Sequence, residues 1–135
     1  MDLATALSIS ATGMQAQTER LRVIAENVAN ADSTGSTPEA APYRRRIVQF
    51  EGVLDRALQS EVVRVKRIGR DPSPFPQKFD PSNPAADSAG YVRTPNVNPL
   101  VEMMDMRNAE RSYNANLGVM QASRAMLTRV IDLLK

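Results

Sequence analysis

All nine prolines of this 135-residue chain fall between Pro38 and Pro99. Proline removes a backbone donor and clashes with the preceding helical turn, so long helices are confined to the two ends. The chain reads as an N-terminal helix over residues 1–31, a central insert over 32–98 and a C-terminal helix over 99–135. The expected class is mainly α. The two end helices form a coiled-coil hairpin, together one helical domain, and the Pro-rich middle contains short β strands.

The C-terminal part carries the clearest period. Met106, Tyr113, Met120, Leu127 and Leu134 recur at every seventh position, and Met103, Leu117 and Ile131 lie three residues before members of that stripe. A seven-residue period is the mark of a helix that buries a narrow seam against another helix. Asn98 followed by Pro99 is a good start, a capping side chain and then a residue whose missing N–H is no loss in the first turn. Glu102 and Asp105 read as exposed acids that complement the helix dipole.

From Asp2 to about Asn30 the N-terminal part supplies a mate. Leu7, Met14, Leu21 and Val28 repeat at seven, and Ala4, Ala11, Thr18 and Ala25 fill the alternate seam position with small residues that allow close approach. Leu3 and Ile24 widen the stripe, while Gln15, Gln17, Glu19, Arg20, Arg22 and Glu26 form the wet side. Gly13 costs such a helix up to ~1 kcal/mol relative to alanine. Asn27 and Asn30 read as C-terminal caps or exposed polar positions. Turn formers from Asp32 to Pro38 then stop the helix.

In the middle, Tyr43 to Phe50 is strand-like and Glu61 to Ile68 alternates Val63 and Val65 with Arg64 and Lys66. Between them, Val53, Leu54, Ala57 and Leu58 share a face that suits one or two helical turns within Gly52–Gln59. Extended pieces are expected at Pro76–Phe79 and Gly90–Arg93. A long proline-rich connection inside a small domain is usually functional, or disordered when alone.

Two thin helical seams bury too little to offset the ordering of so many residues, so the chain looks built for assembly with other copies or other chains. There is no Trp, and no aromatic residue precedes Tyr43. The absence of Cys and His removes disulfides, thiolate catalysis, the commonest general base and the commonest metal ligands. Ser8, Ser10 and Ser33 therefore have no histidine to activate them. Asp80, Ser82, Asp87 and Gly90 only faintly suggest a calcium loop, because Pro81 and Pro84 interrupt it and the ligand spacing is wrong. No catalytic residue, cofactor site or metal site is expected.

Charge is uneven. Residues 1–39 hold two positive and five negative side chains, and residues 40–70 hold eight positive and three negative. Arg44, Arg45, Arg46, Arg64, Lys66, Arg67 and Arg70 could grip phosphates, dock an acidic neighbour or form a solvated strand face. The modest overall excess of +2 and the lack of interleaved aromatics argue against nucleic acid. No apolar run is long enough for membrane insertion, and the N-terminus lacks the basic and apolar blocks of a cleaved signal peptide. Those features read as cytosolic unless export follows a route that needs no such signal.

Leu7 through Asn30, ending Asn27-Val28-Ala29-Asn30-Ala31, resembles the N-terminal signature of bacterial flagellar rod, hook and hook-associated axial proteins. Within that family the middle is similar to proximal rod proteins. The matching runs are Pro42-Tyr43-Arg44-Arg45, Asp71 to Phe75, Asp80-Pro81 through Gly90-Tyr91-Val92, and Pro95-Asn96-Val97-Asn98. The final helix is similar too, at Glu102-Met103, Asp105-Met106, Ala109, Arg111-Ser112-Tyr113 and Ala115-Asn116. Ser82-Asn83 and Pro99 depart from the pattern at turn and cap positions.

The resemblance implies a structural subunit without catalysis, in the proximal rod of the flagellar basal body, a shaft spanning the periplasm that also lines an export channel. The implied partners are other copies of the chain, other flagellar rod proteins and the rod's junction with the membrane ring. The flagellar type III export apparatus would be met in transit. The competing class is a soluble coiled-coil adaptor or export chaperone of the same system.

Overall fold

A computed structural model describes residues 2–134. Its elements run α1 (Leu3–Ala29), β1 (Arg46–Asp55), β2 (Ser60–Arg70), β3 (Gln77–Phe79), β4 (Tyr91–Arg93) and α2 (Pro99–Leu133). Two long helices thus flank a middle of short antiparallel strands, which makes the chain mainly α. The strands form separate two-stranded sheets, β1 with β2 and β3 with β4. The chain divides into two compact units. One holds residues 2–21, 48–67 and 106–134, and the other holds 22–47 and 68–105.

Helix ends follow local chemistry. The Asn98 side-chain oxygen accepts from the Leu100 N–H at 3.0 Å, and the Asn98 carbonyl accepts from Glu102 N at 3.1 Å, so Asn98 caps α2 at the Pro99 start. At the C-terminal end of α1, Asn30 Nδ2 donates to the Glu26 carbonyl at 2.8 Å and the Ser33 hydroxyl donates to the Asn30 carbonyl at 2.9 Å. Both carbonyls also accept backbone N–H groups, Glu26 O from Asn30 N at 3.1 Å and Asn30 O from Ser33 N at 3.2 Å, so the side chains reinforce the end of α1.

In the first unit Ser10, Ala16, Val62, Ala109 and Ser123 are buried. Gly13 of α1 faces Asn116 of α2 so closely that a Cβ there would lie 2.8 Å from Asn116 Nδ2. Ala4, Ala11 and Thr18, expected to permit the close approach, are exposed instead, as is Ala25 further along α1. An α-helix turns 3.6 residues per cycle, so a line drawn at every seventh residue drifts around it, and the contact passes through Gly13 and Ala16.

No helical turns form in Gly52–Gln59. β1 runs on to Asp55, whose side chain accepts from the backbone N–H of Ala57 at 2.9 Å and Leu58 at 3.3 Å. Gln59 then takes a φ of 49° to enter β2. Pairing with β2 gives this segment its backbone bonds, which a single isolated helical turn could not supply. Cross-strand partners are polar: Arg67 Nε donates to Gln49 Oε1 at 2.7 Å, Lys66 meets Glu51 at 3.8 Å and Arg64 meets Asp55 at 3.9 Å.

In the second unit β3 and β4 pair in the register Gln77↔Arg93, Lys78↔Val92, Phe79↔Tyr91. Phe79 and Tyr91 meet edge to face at 5.4 Å. Gly90 precedes β4 with φ 84°, and a Cβ there would come within 2.9 Å of the Phe79 ring, so both backbone and space demand glycine. The 80–90 connection is held by its own acids. Asp87 Oδ1 accepts from Ala89 and Tyr91 N–H groups at 2.9 Å, and Asp80 accepts from the Ser82 hydroxyl at 2.7 Å.

Candidate functional site

The second unit is organised by a buried polar network, and Asn27 stands at its centre. One turn before the end of α1, Asn27 is 1% exposed, not a surface cap. Its Nδ2 donates to the Arg46 carbonyl at 2.9 Å and to Glu102 Oε2 at 3.1 Å. Its Oδ1 accepts from the Tyr43 hydroxyl at 2.8 Å and from Arg46 N at 2.9 Å. Both donors and both lone pairs are used, so the amide can sit in the interior without an unmet group.

Glu102 is the second surprise. Its side chain is 0% exposed, where an exposed dipole-facing acid was expected. Arg45 donates from Nε to Glu102 and reaches Asp71 at 3.4 Å and Asp105 at 3.3 Å through its terminal nitrogens. Burial works against the Arg45 charge, but Glu102 and then Asp71 outweigh it and hold the guanidinium above its ordinary pKa. Burial also pushes the Tyr43 phenol up, with Arg46 opposing and Glu26 and Glu102 assisting. Glu102 lies one heptad ahead of buried Ala109, two before half-buried Asn116 and three before buried Ser123. The seven-residue period on α2 therefore exists along a polar and small-residue line, which the search for apolar repeats passed over.

Asn96 and Arg44 extend the network to the 71–75 loop. Asn96 accepts from Arg45 N at 2.7 Å and donates to the Asp71 and Ser73 carbonyls at 3.1 Å. Arg44 donates to the same two carbonyls at 2.8 and 2.9 Å, with its guanidinium 4.2 Å over the Phe75 ring. The Ser73 hydroxyl and N–H, together with Arg45, lower the Asp71 pKa. Pro42 is buried next to Tyr43. Of the residues singled out by resemblance, Asn27, Tyr43, Arg44, Arg45 and Asn96 thus converge, while Asn30 and Asn98 cap the two helices. Around Asn27 the donors and acceptors are spent on one another, and the network clamps chain segments.

The apolar stripes lie differently. Leu7, Met14 and Leu21 on α1 and Met106, Tyr113 and Met120 on α2 are half-buried. Val28 is 37% exposed, Leu127 43% and Leu134 82%. Val119, Met126, Val130, Ile131 and Leu133 are exposed as well, so the last part of α2 presents a bare apolar surface. No described helix is long and apolar enough to cross a membrane.

Comparison with known sequences places the chain among flagellar basal-body rod proteins. Residues 7–36 match the model of flagella basal body rod proteins, and residues 88–133 match that of the flagellar basal body rod FlgEFG protein C-terminal region. Over 133 residues, 98% of this chain, it is 50% identical to the flagellar basal-body rod protein FlgC of Agrobacterium fabrum, covering 96% of that protein. It is 42% identical to the FlgC of Aquifex aeolicus, covering 98% of this chain and 97% of the relative. Against the FlgC of Yersinia enterocolitica the identity is 38%, with 98% of each chain covered. The chain belongs to the FlgC family of flagellar basal-body rod proteins, structural subunits and not enzymes.

Proposed function

We propose that this chain is a subunit of the proximal rod, assembling with its own copies and other rod proteins into the shaft that spans the periplasm and lines the export channel. The observation that carries the reading is the bare apolar end of α2, from Met126 through Leu127, Val130, Ile131, Leu133 and Leu134. A contiguous exposed apolar stripe on a helix marks a protein contact.

A coiled-coil hairpin of α1 and α2 is the arrangement this reading needs, and two contacts support it. Gly13 meets Asn116 in one unit, and Asn27 bonds Glu102 in the other. Within the first unit, an antiparallel pair of helices would continue from Gly13 opposite Asn116. In that register Leu3, the first residue of α1, stands opposite Met126. The rest of α2 then has no helix of its own chain beside it, and neighbouring subunits cover it.

Leu7, Met14, Leu21 and Val28, with Met106, Tyr113, Met120, Leu127 and Leu134, serve the seam within and between subunits. The clamp around Asn27 and Arg45 fixes the shape that the middle presents to adjacent rod proteins and to the ring junction. The subunit passes through the type III export apparatus unfolded, without a cleaved signal, and binds no nucleic acid and no cofactor. Met120→Asp tests the reading: secretion of the chain should persist while rods and swimming are lost. Wild-type swimming by this variant would contradict it.

A further inference from the structure

The second unit also holds a cleft of about 780 Å3, one wall of which is formed by the clamp residues Tyr43, Arg44 and Arg46. Arg44, Arg46 and Arg70 line it together with Tyr43, Ile68 and Phe75, and no carboxylate is among its lining residues. Arg46 is paired, through Nη1 to Glu26 at 2.7 Å. Arg44 is held in place by two neutral carbonyls and the Phe75 ring, which orient its guanidinium but leave its charge uncompensated. Among the described residues no ion pair engages Arg70. Two cations therefore face one cleft without an anion, beside an aromatic and an aliphatic wall.

We propose that this cleft receives an acidic side chain, Asp or Glu, from a segment of a neighbouring protein chain. Arg44 and Arg70 take the carboxylate, and Ile68 and Phe75 take an apolar residue next to it. A planar guanidinium fork fixed in advance suits a carboxylate in two-point contact. Interfaces gain most from an arginine and aromatic pocket of this kind. A nucleic acid fits less well, because the chain's net charge is only +2 and Arg44 already stacks 4.2 Å over the Phe75 ring. That the occupant is a protein chain rests on the rod reading above; the charge and shape of the cleft do not.

The test places a photoreactive benzoylphenylalanine at position 68 of the full chain in intact cells and identifies the cross-linked fragment by mass spectrometry. A fragment of another protein chain with Asp or Glu within a few residues of the cross-link is expected. In parallel, Arg70→Glu should lower the amount of chain in purified basal bodies by about tenfold or more, the effect of reversing one desolvated charge pair. Its circular dichroism should match the wild type. Changing the cross-linked acid to Arg should restore incorporation of Arg70→Glu. Cross-links to nucleic acid or lipid, fragments with no acid, or Arg70→Glu incorporated at the wild-type level would overturn the proposal. Absence of the wild-type chain from basal bodies would instead defeat the rod reading, with the cross-link still reporting on the cleft.

Discussion

Replacing Arg45 by Met should be the most damaging single change in the second unit. Met keeps most of the apolar stem but removes the cation, and Glu102, with a fully buried side chain, loses its one oppositely charged partner among the described residues. Removing one partner of a buried ion pair costs about 3–5 kcal/mol, because the other charge stays desolvated. Asn27 still donates to Glu102 at 3.1 Å, which places the expected loss near the lower end. The contacts from Arg45 to Asp71 and Asp105 add little, since those carboxylates are 18% and 38% exposed and such pairs contribute at most about 1 kcal/mol each. A loss of about 3 kcal/mol is a large share of the 5–15 kcal/mol typical of a domain.

The double change Arg45→Met with Glu102→Leu supplies the control. It leaves no buried charge and sacrifices mainly one acceptor of Asn27, so it should recover to within about 1–2 kcal/mol of the wild type. Urea unfolding of the full chain, followed by far-ultraviolet circular dichroism, measures all three differences. Arg45→Met within about 0.5 kcal/mol of the wild type would refute the reasoning, since that is the scale of an ordinary surface change. So would a double variant less stable than Arg45→Met alone.

Two further outcomes follow from local geometry. Gly13→Ala alone should be nearly neutral, the ~1 kcal/mol gain in helix propensity being offset as the Asn116 side chain is displaced; with Asn116→Ala the gain should emerge in full in the urea midpoint. Asp71, whose pKa is lowered by Ser73 and Arg45, contributes stability that is complete above the ordinary value of 3.8 and is lost as pH falls through its lower folded value. The stability gap between wild type and Asp71→Asn should therefore be constant at neutral pH and shrink as pH falls below the ordinary value of 3.8.

Much of the architecture was legible because prolines and helix caps are local signals. The proline limits and the Asn98-Pro99 pair placed both helices to within a residue or two of α1 and α2, and the short extended pieces were found at β3 and β4. The 52–59 segment was misjudged because a shared apolar face at helical spacing can equally ride on a hairpin, and cross-strand pairing decides between them. The clamp was half legible. Local reading gave Asn27 as a cap or exposed position and Arg45 as part of a basic stretch, since periodicity scores polar residues as solvent-facing; only the resemblance grouped them with Tyr43 and Asn96. Glu102 was missed because its burial depends on an arginine 57 residues earlier in the chain, a long-range pairing no local pattern encodes. On α2 the deepest line runs through Glu102, Ala109 and Ser123, while of the apolar stripe Met106, Tyr113 and Met120 are half-buried and Leu127 and Leu134 exposed.

On the proposed reading, neighbours in the rod cover the bare end of α2. The chain has no cysteine, so Leu127→Cys introduces one thiol at a position 43% exposed in the isolated chain. Maleimide labelling should be fast in the purified chain and strongly suppressed in purified basal bodies. Equally rapid labelling in both would contradict the account.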